Sequence, residues 1–173
     1  MNTEAESHLD VTAGALLKAL AERGWRFGTA ESLTGGMVGA AVTAVPGASR
    51  CYVGGIISYA DRAKVLLLGV GEDVLSKHGA VSAEVAEAMA EGCRARLQVD
   101  VAIATTGIAG PASDERGTPV GTVFVAVVTP DARRVERLML AGSRQEIRVA
   151  ATHAALRLAL RLVEMTSELE VRR

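Results

Sequence analysis

The sequence has 173 residues, which suits one globular domain with enough length to bury a core. Hydrophobic residues make up 49% of the chain and aromatic residues only 3%, so the predicted core consists of Ala, Val, Leu and Ile. The 19 lysines and arginines nearly balance the 20 aspartates and glutamates, and no basic run supplies a local positive field. The charge pattern therefore does not favour a nucleic-acid partner.

Cysteines and histidines are too scattered to predict a disulfide framework or a metal site: Cys51, Cys93, His8, His78 and His153. The N-terminus is acidic where a signal peptide is basic, and no apolar run is long enough to span a membrane. We therefore expect a soluble cytoplasmic protein that uses no metal or cofactor and does not bind membranes.

The first half of the chain is predicted to alternate helices and strands. Leucines at helical spacing predict a helix over 5–22, which ends at Gly24. The elements that follow are a strand over 25–30, a helix over 35–44, a strand over 51–59 and a helix over 60–68. A short segment without assigned structure continues to His78.

The second half begins with the clearest helix, over 82–97. Ser82 is its predicted N-cap, and Val85, Met89 and Cys93 form an apolar stripe. The later elements are a strand over 99–105, a loop over 107–117, strands over 122–129 and 133–141, and a helix over 143–164. This order predicts a single α/β domain with three α/β/α layers and a mixed, mostly parallel sheet.

Three segments combine small and polar residues, and each follows a predicted strand: 31–36 (ESLTGG), 58–64 (SYADRAK) and 105–111 (TTGIAGP). In open α/β sheets, ligands collect at the carboxyl ends of the strands. The first segment provides Ser32, which is either a reacting hydroxyl or only a helix cap. The second provides Lys64, which is either a base or an ordinary surface lysine, and the third is either a ligand-contacting loop or a tight turn.

Together these segments bring a hydroxyl, an amine and glycine-rich backbone to one edge of the sheet. Such a set suits acyl transfer, which needs a nucleophile, a base and N–H donors for the oxyanion. The sequence offers no usable His–Asp pair, so lysine is the candidate base.

Five motifs occur in a familiar order: TAESLTGG, GGIISYADRAK, HGAVSAEVAEAMAEG, TTGIAGP and PVGTVFVAV. They resemble the CinA C-terminal domain family over about residues 8–165. The resemblance implies a three-layer α/β/α fold and a nicotinamide-nucleotide amidohydrolase. The implied reaction converts nicotinamide mononucleotide to nicotinic acid mononucleotide and ammonia in pyridine-nucleotide salvage, without a metal. Longer family members carry a separate N-terminal domain, so a stand-alone form is expected here.

The resemblance also implies roles for particular residues. Ser32 corresponds to the nucleophile, and Tyr59 and Lys64 occupy the tyrosine and lysine positions of the second motif. Thr106 precedes the GIAGP motif, and Arg144 and Arg148 match the arginines near the last helix. Five positions depart from the family pattern. Leu33 replaces the usual Cys, Ala60-Asp61-Arg62 stands where Ser-Asn-Glu is common, and Ser143 replaces an Asp.

The expected mechanism has Ser32 attack the carboxamide while neutral Lys64 receives its proton and Tyr59 completes a hydrogen-bond relay. Burial or a nearby cation is expected to favour the neutral amine, and Arg62 and Arg144 are the candidate cations. The expected contacts to substrate come from N–H groups near the oxyanion (Gly35, Gly36, Gly107), from arginines at the phosphate (Arg144, Arg148) and from pocket hydroxyls (Thr34, Thr106).

Two alternatives stay open. The pocket could serve a different amide, because Asp61 and Arg62 depart from the site motif. The chain could also be a non-catalytic nucleotide-binding or competence-associated interaction module. The family tendency, rather than any pattern in the residues, leads us to expect a homo-oligomer whose ligand is a small nucleotide.

Overall fold

A five-stranded sheet lies at the centre of the fold. The structure is a computed structural model that describes the backbone of residues 3–171 and the side chains of residues 11–165. The strands of the sheet are β1 (Phe27–Glu31), β2 (Tyr52–Ile57), β3 (Val101–Gly107), β4 (Thr122–Val128) and β5 (Arg133–Met139). The α-helices of the described residues are α1 (Thr3–Glu22), α2 (Met37–Thr43), α3 (Asp61–Leu68), α4 (Glu72–His78), α5 (Ala83–Leu97) and α6 (Arg144–Val171), and a short 3-10 helix spans Ala48–Arg50.

The strand order is β2-β1-β3-β4-β5. Strand β1 pairs in parallel with both β2 and β3, whereas β4 is antiparallel to β3 and to β5. Only β4 therefore runs against the other strands of this sheet. The prediction of a mixed, mostly parallel sheet is confirmed.

Helices cover both faces of the sheet. On one face, α1, α2 and α6 bury a cluster that includes Phe27, Ile103 and Leu156. On the other, α5 packs on small strand residues such as Ala30 and Ala104, while α3 and α4 pack against α5. The three predicted layers are confirmed. None of the helices in the described part of the chain is long and apolar enough to cross a membrane.

Helix α5 agrees closely with its prediction. Ser82 caps it by accepting a hydrogen bond from the Val85 N–H at 3.3 Å, and the stripe of Val85, Met89 and Cys93 is fully buried. Helix α4 was not predicted. It has seven residues and buries none of them fully, so it lacks the apolar stripe that identifies a helix in a sequence. Its acidic first turn and basic last turn were the only helical signals.

The connections after β1 and β2 leave towards opposite faces of the sheet. Helix α2 follows β1 on one face, and α3 follows β2 on the other. Because β1, β2 and β3 are parallel, their carboxyl ends lie at one edge, where this divergence opens a crevice. The three polar segments that were identified in the sequence meet at that edge.

Helix α5 lies so close to α3 that Gly92 has no room for a side chain. A Cβ on Gly92 would lie 1.9 Å from the carbonyl oxygen of Leu68. Gly14 in α1 is different, because a Cβ there would meet nothing nearer than Val45, at 4.0 Å. The same substitution should therefore act in opposite directions at the two glycines.

We expect Gly92→Ala to lower the free energy of unfolding by about 1–3 kcal/mol, because the added methyl group overpacks the contact between α5 and α3. Gly14→Ala should instead raise it by up to about 1 kcal/mol, because alanine favours a helix over glycine. Urea unfolding of both variants measures these changes. Equal effects of the two substitutions would contradict this account of the α3–α5 contact.

Candidate active site

The carboxylate of Glu31 organises the turn between β1 and α2. Its side chain is 2% exposed, and its oxygens accept hydrogen bonds from three N–H groups and two hydroxyls. The N–H donors are Gly36 (2.8 Å), Val38 (3.1 Å) and Gly39 (2.9 Å), and the hydroxyl donors are Thr34 (2.8 Å) and Thr29 (3.3 Å). A buried carboxylate from the preceding strand thus caps α2, where the positive end of the helix stabilises its charge.

Gly35 and Gly36 belong to the interior of this turn. Their φ values of 58° and 100° lie in the left-handed region, which glycine adopts without strain. Gly36 donates its N–H to Glu31, and Gly35 donates to the Ser32 carbonyl at 3.2 Å. The expectation that these N–H groups face an oxyanion is wrong for this conformation, since both are occupied and neither glycine lines the pocket at the sheet edge.

Thr34 and Arg148 support the same turn from behind. The buried hydroxyl of Thr34 lies 2.7 Å from that of Thr105, at the end of β3. Arg148, on α6, donates to the carbonyls of Leu33 and Thr34, each at 2.9 Å. Neither residue lines the pocket, so the structure does not bring them to the substrate position predicted for them.

The pocket at the carboxyl ends of β1, β2 and β3 has a volume of about 420 Å³. Six of the predicted site residues line it: Ser32, Tyr59, Lys64, Thr106, Gly107 and Arg144. Part of its wall comes from residues that the sequence reasoning did not assign a role, among them Ala109 and the loop 114–116. A larger cavity of about 560 Å³, between α1 and α6, contains none of the predicted residues.

Ser32 is 7% exposed, and its position is set by the backbone. Its N–H donates to the Thr105 carbonyl at 3.0 Å, which ties the turn to the end of β3. Within the described part of the chain, its hydroxyl makes no hydrogen bond. Ser32 therefore presents an unengaged Oγ at the pocket.

Lys64 lies on α3 and is 2% exposed. Its Nζ donates to Asp61 Oδ1 at 3.0 Å and to the Tyr59 carbonyl at 3.3 Å. The charged group in contact with Nζ is thus a carboxylate, and the expected cations, Arg62 and Arg144, make no contact with it among the described residues. Asp61 was missed as a partner of Lys64, although it precedes the lysine by three residues on a predicted helix.

Tyr59 and Arg144 contact each other across the pocket mouth. Arg144 donates to the Tyr59 hydroxyl at 3.0 Å and to the Gly110 carbonyl at 2.6 Å. The tyrosine is 60% exposed, and only its backbone carbonyl contacts Lys64. The predicted relay through the Tyr59 hydroxyl is therefore not formed in this structure.

Thr106 and Gly107 shape the wall at the end of β3. The Thr106 hydroxyl donates to the Ala80 carbonyl at 2.7 Å, and a Cβ on Gly107 would lie 2.7 Å from the Thr122 carbonyl oxygen. Gly107 is thus needed for close packing against β4. Two lining residues, Leu33 and Ala109, have backbone N–H groups that take part in no hydrogen bond among the described residues.

Two charged residues that the sequence reasoning missed hold the loop after β3. Asp114 accepts the N–H groups of Arg116 (3.1 Å) and Thr118 (2.8 Å). Burial acts to raise the pKa of Asp114, but these hydrogen bonds outweigh it, so the pKa lies below its ordinary value. The Arg116 guanidinium donates to the last carbonyls of α4, those of residues 75–77. The predicted 107–117 loop revealed neither contact, because both depend on side-chain direction.

The fold and the pocket define a class: a three-layer α/β protein with a polar pocket at the ends of its parallel strands. In the described residues, no cluster of three or more His, Cys, Asp or Glu side chains is arranged to hold a metal ion. This chain belongs to the CinA C-terminal domain family, whose model matches residues 10–163.

Relatives and solved structures agree with this assignment. A CinA-like protein of Syntrophobacter fumaroxidans is 46% identical over 88% of this chain, which spans only 36% of that relative. The matched region is thus only about a third of the length of this curated relative. The crystal structure of competence damage-inducible protein A from Klebsiella pneumoniae has a TM-score of 0.86 and 34% identity, covering 92% of this chain and 97% of its own. A competence/damage-inducible protein of Agrobacterium tumefaciens has a TM-score of 0.86 and 33% identity, with coverage of 90% and 95%.

We expect Glu31→Gln to lower the free energy of unfolding by about 2–4 kcal/mol, because the amide group places donors opposite the buried donors at the start of α2. Glu146→Gln is the matched control, since Glu146 accepts two hydrogen bonds from Ser143 at the start of α6 but is exposed to solvent. Thermal or urea unfolding measures both. A loss no larger for Glu31→Gln than for Glu146→Gln would contradict the role given to Glu31.

Proposed function

We propose that this protein hydrolyses the carboxamide of nicotinamide mononucleotide to nicotinic acid mononucleotide and ammonia. The observation that carries the proposal is that Ser32 and Lys64, which come from different elements, line one pocket. Among the described residues the hydroxyl of Ser32 makes no hydrogen bond, so it is available to react, and the amine of Lys64 is buried in the wall of the same pocket. The resemblance of the motifs supplies the substrate.

The reaction begins when Ser32 Oγ attacks the carboxamide carbon and its proton passes to the neutral amine of Lys64. The C–O bond forms, and the carbonyl electron pair moves to the oxygen. Collapse of this intermediate breaks the C–N bond, and Lys64 returns the proton to the departing ammonia. A water molecule then attacks the ester while Lys64 takes its proton. As the bond between the acyl carbon and Ser32 Oγ breaks, Lys64 gives that proton to Oγ, which regenerates the hydroxyl and the neutral amine.

The oxyanion needs donors other than Gly35 and Gly36. We assign this role to the N–H groups of Leu33 and Ala109, because both belong to lining residues and both lack a partner within the described chain. Leu33 directly follows Ser32, the usual position for such a donor at a strand-to-helix turn. Each donor is worth about 3 kcal/mol of transition-state stabilisation.

The phosphate requires cations that face the pocket. Arg144 and Arg116 line it, whereas the guanidinium of Arg148 is engaged behind the turn. Neither lining arginine forms an ion pair with a carboxylate of the described residues. Arg144 is the stronger candidate, since it uses only two of its five N–H donors on protein acceptors.

Ammonia release from nicotinamide mononucleotide by the purified protein tests the reaction. Ser32→Ala should abolish it, and Lys64→Arg should reduce kcat about a hundred- to ten-thousand-fold, because arginine stays charged and cannot accept the proton. Ser49→Ala and Lys18→Arg are matched controls, as both residues lie outside the pocket. If the protein binds the nucleotide but releases ammonia from no amide, it is a non-catalytic binding module. If it releases ammonia only from a different amide, that amide is the substrate.

The phosphate assignment has its own test. We expect Arg144→Ala to raise KM for nicotinamide mononucleotide about tenfold or more with kcat nearly unchanged, because a charged hydrogen bond to phosphate contributes equally to ground and transition states. KM for nicotinamide riboside, which lacks the phosphate, should hardly change. Arg62→Ala is the control, since Arg62 is exposed outside the pocket lining. Lost turnover at unchanged KM would exclude Arg144 from phosphate binding.

A further inference from the structure

The ion pair between Lys64 and Asp61 combines a buried cation with an exposed anion. The Nζ–Oδ1 distance is 3.0 Å, and the side chains are 2% and 60% exposed, respectively. Both residues lie in the first turns of α3, three positions apart, so the helix itself sets their spacing. Burying an ammonium without a partner costs several kcal/mol, and here the partner is Asp61.

We propose that Asp61 is a positioning residue that keeps Lys64 charged and anchored in the unliganded pocket, so that the amine becomes a base only after the pair has lost a proton. This inference rests on the proposed function for its catalytic consequence. The effect of Asp61 on the charge of Lys64 concerns only their ion pair, and it can be tested without measuring turnover.

Asp61 is the charged group that contacts Nζ, although other charged or titratable groups line the same pocket. They are Tyr59 at the end of β2, Arg144 on α6, and Asp114, Glu115 and Arg116 in the loop after β3. Helix α5, which packs beside α3, contributes no side chain to the lining. The Tyr59 hydroxyl is engaged by Arg144, and Arg116 is engaged by the end of α4. Among these groups, Asp61 therefore has the most direct influence on the charge of Lys64.

The proton balance follows from this pairing. The resting pair is an ammonium and a carboxylate; loss of one proton to water leaves an amine beside the same carboxylate. The carboxylate attracts the ammonium at 3.0 Å, and a neutral group in the same place would not do so. The amine can then accept the Ser32 proton, so the acid limb of the pH–rate profile reports the state of the pair.

Asparagine is the informative replacement at position 61. It keeps an acceptor oxygen and nearly the same shape but removes the charge. It is also the residue common at this position in the CinA C-terminal domain family. Since Asp61 is largely exposed, this variant should fold like the original protein. Glu115→Gln is the matched control, because it removes one negative charge from the pocket lining at a residue without a contact to Nζ.

We expect Asp61→Asn to move the acid limb of kcat/KM for ammonia release to lower pH by about one unit, a modest shift because solvent screens the exposed carboxylate. Glu115→Gln should move it less. An acid limb that stays in place, or that moves to higher pH, would overturn the inference.

A second readout needs no activity. The sequence has three lysines (Lys18, Lys64 and Lys77), so ¹⁵N-lysine labelling gives a simple side-chain NMR spectrum, which Lys64→Arg assigns. The Lys64 signal should change from ammonium to amine at lower pH in Asp61→Asn than in the original protein. Identical titrations overturn the inference. If the two titrations differ clearly but the protein releases no ammonia, the role of Asp61 is supported and the proposed function is contradicted.

Discussion

The buried carboxylate of Glu31 is the interaction on which the site depends. A charge held away from water is tolerated only when hydrogen bonds satisfy it, and here the donors are supplied by the turn and by the first turn of α2. Those donors converge on the carboxylate only when the chain adopts this turn. Ser32 is the next residue, and its N–H is tied to β3. Satisfying the charge of Glu31 thus also places the hydroxyl of Ser32 at the pocket.

Three positively charged side chains make different contacts around the site. Arg148 braces the turn from α6, Arg144 links Tyr59 to the loop after β3, and Lys64 is paired with Asp61. Arg144 and Arg148 are one helical turn apart on α6, yet only Arg144 lines the pocket. Packing therefore decides which arginine lines the pocket and which braces the turn, because neighbouring positions on one helix meet different parts of the protein.

Local patterns predicted most of the fold. Helix α5 followed from its cap and its stripe, because both are properties of consecutive residues. Helix α4 did not, because it is short and only half-buried. Ser32, Lys64 and Thr106 were brought to one pocket as expected, since parallel strand ends must share an edge of the sheet. The partners of Lys64 and Tyr59 were not foreseen, because hydrogen bonds depend on where side chains point.

The sequence by itself determined the family, the alternation of helices and strands, and the three polar segments, because these are carried by residue type and spacing along the chain. Only the tertiary structure decided which polar groups remain available at the pocket. It occupied the N–H group of Gly36 with Glu31 and that of Gly35 with the Ser32 carbonyl, and among the described residues it left that of Leu33 without a partner. The physical reason is that each donor satisfies the acceptor that folding brings within reach, and that acceptor is set by three-dimensional packing.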